Sequence, residues 1–155
     1  MKLQIILAVC GFIMATTAQE QVTVKSPSSN HKIEFRRCIQ TDDDALIDFM
    51  ITNISNVDIV YSLQNIQIYD DEGNVHTDGN RKGRPLFSST DNRLSPNVSA
   101  TIPVGGFSRV RIIVSGGFDQ YATKVILLKM NFGWRENDSP FWDSIELRNF
   151  PIIRE

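Results

Sequence analysis

ALIDFMITN, residues 45–53, puts Ala45, Ile47, Phe49 and Ile51 at every second position, with Leu46, Asp48, Met50 and Thr52 between them. A period of two is the mark of a strand with one buried face, because successive side chains of extended backbone point to opposite sides. The rhythm recurs outward from this stretch. SNVD (55–58) interrupts it and IVYSLQNIQIY (59–69) resumes it, with Ile66 and Ile68 on one face. NVSATI (97–102) and FSRVRIIV (107–114) follow, the second setting Val110, Ile112 and Val114 against Arg109, Arg111 and Ile113. ATKVILLKMNF (122–132) is apolar on both faces around Val125–Leu128 and has no helix caps, which suits a central strand. In DSIELRNFPII (143–153) Ile145 and Leu147 alternate with Glu146 and Arg148, and Pro151 suggests an edge or an ending. About eight strands separated by Gly, Asn, Asp and Pro predict an all-β sandwich or barrel. Without strand–helix alternation, a doubly wound nucleotide fold does not fit.

The chain begins MKLQIILAVCGFIMATTAQE. Lys2, the apolar run Leu3–Ala15 and the small residues Thr16-Thr17-Ala18 have the form of a cleaved secretory signal, cut after Ala18. The run is short for a membrane span, and no second one follows. A lipoprotein signal ending at Cys10 would need a small residue where Val9 stands. The expected organisation is a signal peptide over 1–18, a flexible lead-in over 19–30 containing KSPSSN, and a sandwich over 31–155, secreted or periplasmic. Removing 1–18 takes away one Lys and no acid, so the formal charge moves from −2 to −3. That balance offers no basic excess for nucleic acid, and Arg36-Arg37, Arg81-Lys82-Arg84 and Arg109/Arg111 read as solvated charge.

Export leaves Cys38 as the sole thiol, so no disulfide can form within the chain. Strict alternation in HKIEFRRCI (31–39) puts Ile33, Phe35 and Ile39 on one face and Cys38 on the other, free to pair with another chain. A bulge at Arg36-Arg37 would instead turn Cys38 inward.

YDDEGNVHTDGNRKG (69–83) concentrates acids, a histidine, glycines and a basic triplet. A calcium loop needs oxygen ligands at alternating positions and a closing bidentate acid, and the spacing from Asp70 to Asn80 lacks this. The stretch reads as turns, with Asp71-Glu72-Gly73-Asn74 as a hairpin; weak calcium binding at these acids and Asp42–Asp44 is the alternative.

The order ALIDFMITNISNVDI, IQIYDDEGNVHT, RLSPNVSATIPVGGFSRVRIIVSG, VILLKMNF and IELRNFPI resembles secreted bacterial immunoglobulin-like proteins of the immunoprotective extracellular antigen type, over residues 30 to 151. The resemblance implies an immunoglobulin-like sandwich, export and no enzymatic activity. It brings no catalytic motif, and the Cys–Trp–Cys arrangement of antibody domains is missing.

No catalytic residue, metal site or cofactor is expected. His31 and His76 lie in polar, turn-like sequence that predicts solvated imidazoles, and Asp70, Asp71 and Glu72 look solvated as well. The predicted role is a non-enzymatic binding module of the cell envelope or extracellular space. Its partner would be another envelope or extracellular protein, met by a sheet face, an edge strand or end loops. The candidate contacts are Arg81 and Arg84 in one loop and Trp134, Arg135, Phe141 and Trp142 in another. NFGWRENDSPFWDS (131–144) holds both tryptophans of the chain around a polar turn. Buried, those rings close the core; exposed, they form a stacking platform for sugars, so carbohydrate binding is the alternative function.

Overall fold

The computed structural model describes residues 21–89 and 93–155; the expected signal peptide, with Cys10, lies outside the described residues. The strands are β1 (Thr23–Lys25), β2 (His31–Gln40), β3 (Asp44–Asn53), β4 (Ile59–Asp70), β5 (Val75–Thr77) and β6 (Pro85–Ser88). They continue with β7 (Leu94–Ser95), β8 (Asn97–Ile102), β9 (Phe107–Ser115), β10 (Lys124–Glu136), β11 (Ser139–Pro151) and β12 (Ile153–Arg154). These twelve replace the eight expected. The ones not expected, β1, β6, β7 and β12, are two to four residues long and leave no readable period. One of them, β1, lies inside the expected lead-in and pairs with β11.

The strands form two sheets packed face to face. One has the order β1-β11-β10-β4-β5, with β8 also on β4; the other runs β12-β2-β3-β9-β6-β7. All pairings are antiparallel except β12 with β2. Ile47, Phe49 and Ile51 of β3 and Val110, Ile112 and Val114 of β9 face Tyr61, Leu63, Leu128 and Phe132 of the first sheet, all buried. Each such side chain contributes about 1.5–3 kcal/mol when removed from water.

Bulges correct the strict period at three places. Register slips between Phe35 and Arg37, which turns Cys38 inward and leaves it 1% exposed, so the bulge at Arg36-Arg37 holds and the face from strict alternation does not. Burial pushes the Cys38 thiol up to about 12, against a smaller downward pull from Arg154. Asn65 of β4 sits at φ 57° opposite a slip between Lys129 and Asn131. That residue lets both Tyr61/Leu63 before it and Ile66/Ile68 after it face the core. A slip between Val125 and Leu127 accounts for the doubly apolar run of β10.

On the outer face of the second sheet Asp48 is buried beneath two arginines. Arg109 Nε donates to its two oxygens at 2.8 and 3.0 Å, and Arg37 Nε reaches it at 3.4 Å. Burial raises the Asp48 carboxyl, but the bonds and charge of Arg109 and then Arg37 outweigh it and hold the group below its ordinary range.

The loops divide between two ends. Loops 54–58 and 103–106 and the 137–138 turn share one end, joined by Asn53 N→Gly106 O (3.0 Å) and Gly105 N→Asn53 O (3.1 Å). Loops 71–74 and 116–123 lie at the other, where Asp71 N donates to Lys124 O (3.1 Å).

Candidate functional site

The β10–β11 hairpin turns on Asn137 (φ 47°) and Asp138 (φ 65°), two consecutive left-handed residues that Asn and Asp tolerate. A two-residue turn fixes the register: Glu136 faces Ser139, Arg135 Pro140, Trp134 Phe141 and Gly133 Trp142. Pleating then divides the aromatic cluster between the faces. Phe132 and Trp134 point inward and are buried; Trp142 points outward and is 64% exposed.

The inward group closes the core at that end. His31, which is buried and not solvated as its sequence neighbours suggest, meets Phe132 and Trp134 edge-on at 5.1 and 5.0 Å. Burial lowers its pKa, with Glu136 pulling the other way. Phe141 stacks on Trp134 at 5.3 Å, and Trp134 Nε1 donates to Glu136 Oε1 (3.0 Å).

The outward group forms a groove. Pairing aligns Ser99, Ser62, Gly133 and Trp142 in one row across β8, β4, β10 and β11. A Cβ placed on Gly133 would meet Cζ3, Cη2 and Cε3 of Trp142 at 2.5, 2.7 and 2.8 Å. Three neighbouring ring atoms at nearly equal distance mean the point lies above the ring face, not off its rim. The indole therefore rests face-down on the bare glycine and offers its other face to solvent. Asp58, Val60, Arg135, Asn137, Asp138 and Pro140 complete a groove of about 680 Å³.

Of the residues named from sequence, Arg135 and Trp142 share this groove. Trp134 adds only to its wall, with Phe141 behind it on the core side. Arg81 and Arg84 are at the opposite end, where Ser115 N donates to Arg84 O (3.2 Å) and Gly83 N to Ser115 O (2.8 Å). The sequence reading missed Gly133 within the same hairpin, Ser62 on β4, Ser99 on β8 and Asp58 in the loop before β4. The one local signal was the glycine between Phe132 and Trp134.

The second histidine and its acid also depart from expectation, since His76 and Asp70 are buried. His76 Nε2 lies 3.3 Å from Asp70 Oδ2 and Nδ1 lies 3.1 Å from Gly83 O, with the Phe118 ring at 5.1 Å. Asp70 Oδ1 accepts from the amides of Glu72 (3.1 Å) and Asn74 (2.9 Å), shaping the hairpin around Gly73 at φ 82°. Asp71 reaches across to accept the Thr123 amide (2.9 Å). These acids pin turns. Among the described residues no group of three or more His, Cys, Asp or Glu is placed to hold a metal ion, and no helix is long and apolar enough to cross a membrane.

No protein family and no curated protein matches the sequence. Solved structures do match in shape. The ASH/PapD-like domain 7 of human CEP192 is 14% identical, with 84% of this chain and 89% of that one covered and a TM-score of 0.43. A structural-genomics target, SoR45, is 14% identical over 88% of both chains with a TM-score of 0.44. The periplasmic chaperone SfaE is 14% identical over 81% of this chain and 57% of that one, with a TM-score of 0.41. The architecture expected from the sequence is met: the chain is an all-β, two-sheet sandwich, a shape these solved structures resemble only distantly.

Proposed function

We propose that this protein is an exported, non-enzymatic binding module that engages its partner on the outer face of the first sheet, in the groove around Trp142. The observation that carries the reading is the posture of Trp142. A large ring 64% exposed, seated on a glycine that leaves room for it, loses little freedom when a partner covers it. Export rests on the form of residues 1–18. The chemistry around the histidines favours binding over catalysis. His31 Nδ1 is 2.7 Å from Ser28 Oγ, but that oxygen accepts the Asn30 amide (3.1 Å), and the far side of the ring meets aromatic carbon where a triad would have an acid. His76 spends both nitrogens on Asp70 and Gly83.

The test is retention of purified protein on envelope and medium fractions from its own host. Trp142→Ala should weaken retention at least about tenfold, the scale of a buried aromatic anchor. Arg81→Ala/Arg84→Ala, at the other end, should leave it unchanged. Equal retention of Trp142→Ala and wild type would overturn the reading.

A further inference from the structure

We infer that the groove takes a neutral saccharide, one sugar ring stacking on the free face of Trp142 and its hydroxyls meeting the polar rim; this rests on the binding-module reading above. The ring face carries the negative lobe of the aromatic quadrupole, and the C–H-bearing face of a pyranose presents the weakly positive hydrogens that complement it. A flat platform open on one side suits such a disc. The rim is made for hydroxyls. Ser62 and Ser99 continue the row from Gly133, and Arg135, Asn137 and Asp138 stand at the hairpin end. None of these five side chains bonds to another described residue, so their donors and acceptors remain available. Asp58 is committed in part, accepting the Val104 amide at 2.9 Å. The volume of about 680 Å³ falls within the roughly 300–1,000 Å³ usual for small-ligand sites.

Other ligand classes fit less well. A protein anchor would call for an apolar, desolvated surround, whereas Tyr61 and Trp134 are buried and, besides Trp142, only Val60 and Pro140 add apolar side chains to a lining otherwise polar or glycine. A quaternary ammonium group calls for a cage of several rings, and Trp142 offers the groove's one open ring face. A polyanion would need cations, and Arg135 stands against both Asp58 and Asp138. That excess of acid also disfavours uronic and sialic acids, hence the neutral class.

The experiment titrates hexasaccharides of glucose, mannose, xylose and N-acetylglucosamine, with hexagalacturonate as the acidic comparison, against the Trp134→Phe variant. Its remaining tryptophan fluorescence reports on Trp142, and calorimetry on the wild type guards against a variant that folds poorly. At least one neutral hexasaccharide should give a saturable change below about 10 mM, where even a weak site registers. Trp142→Ala should bind it at least tenfold more weakly. Gly133→Ala should also weaken it severalfold without removing any polar group, because the added methyl lifts the ring off the sheet. Saccharide binding unaffected by Trp142→Ala overturns the inference, as does hexagalacturonate binding more tightly than every neutral sugar. No saturable change with any hexasaccharide also overturns it, and if Trp142→Ala still abolishes retention on envelope material, the binding-module reading stands without the sugar.

Discussion

Asn53 offers the sharpest test of how the end beside the groove is held. Its side chain is fully buried and uses all of its hydrogen-bonding capacity. Nδ2 donates to Val57 O (2.8 Å) and Ile102 O (3.0 Å); Oδ1 accepts from Ser55 N (3.0 Å) and Ser55 Oγ (2.6 Å). Two carbonyls on one side and two donors on the other fix which way the amide points. Asn53→Ala deletes four bonds, each worth about 1 kcal/mol net, for a loss of about 4 kcal/mol. Against a total of about 5–15 kcal/mol this is large, and it corresponds to a fall in Tm of about 12 °C for a domain of this size. Asn53→Asp is nearly the same shape, yet at pH 7 it sets a charged oxygen against the carbonyls of Val57 and Ile102. Its cost should therefore equal or exceed that of the alanine variant. The introduced carboxyl, favoured in its protonated form by burial, would have a folded pKa above its unfolded value of about 3.9. Its penalty is then smallest below the unfolded pKa and grows as pH rises through the folded one. Urea denaturation at pH 7.5 and pH 4 measures both arms, and about half the cost should return at the lower pH, where one oxygen becomes a donor. Asn53→Asp melting within a few degrees of wild type at pH 7.5, or with a deficit independent of pH, would refute the reasoning.

Two further outcomes follow from buried titratable groups. Cys38, its thiol pushed up to about 12 by burial, should resist alkylation by iodoacetamide at pH 8 in the native protein and react fully in denaturant; fast native labelling would mean that β2 opens locally. His31 is held neutral by burial, so below its unfolded pKa of about 6.5 the unfolded chain binds more protons and stability falls with pH. His31→Gln should flatten the decline in urea midpoint between pH 7.5 and pH 5.5, and an unchanged slope would count against that origin.

The strand rhythm was legible because side-chain alternation is local: Ala45, Ile47, Phe49 and Ile51 are buried as read, and so are Val110, Ile112 and Val114. What could not be read were the places where one extra residue resets the phase. Strict alternation through HKIEFRRCI gives the wrong face for Cys38 and Ile39; only the alternative of a bulge at Arg36-Arg37 matches the slip after Phe35, and the residues alone do not choose between the two. Asn65 could have been suspected, being a residue that tolerates φ 57° amid apolar neighbours. The histidines misled for another reason. Their sequence neighbours are polar and turn-forming, but β2 and β5 carry them under Trp134 and Phe118, contacts made only by distant pairing. The groove was illegible in the same sense. Trp142 and Arg135 stood out by residue type, whereas Ser62 and Ser99 join them through register across β4 and β8.

Both the closed core and the open groove depend on the length of one turn. With Asn137 and Asp138 as the only unpaired residues, Phe141 falls opposite Trp134 and Trp142 opposite Gly133. A turn longer by one residue, with β11 slipping to match, would carry the indole inward against Trp134 and leave the outer face without its ring. Gly133 completes the arrangement, since any side chain there would hold the indole off the sheet. The residues in question sit within paired strands, not on long loops, so the ring is already in place for the saccharide proposed above. That rigidity is why the small methyl of Gly133→Ala is expected to weaken binding while the fold survives: Trp142 is exposed and can swing aside, and what is lost is its resting position.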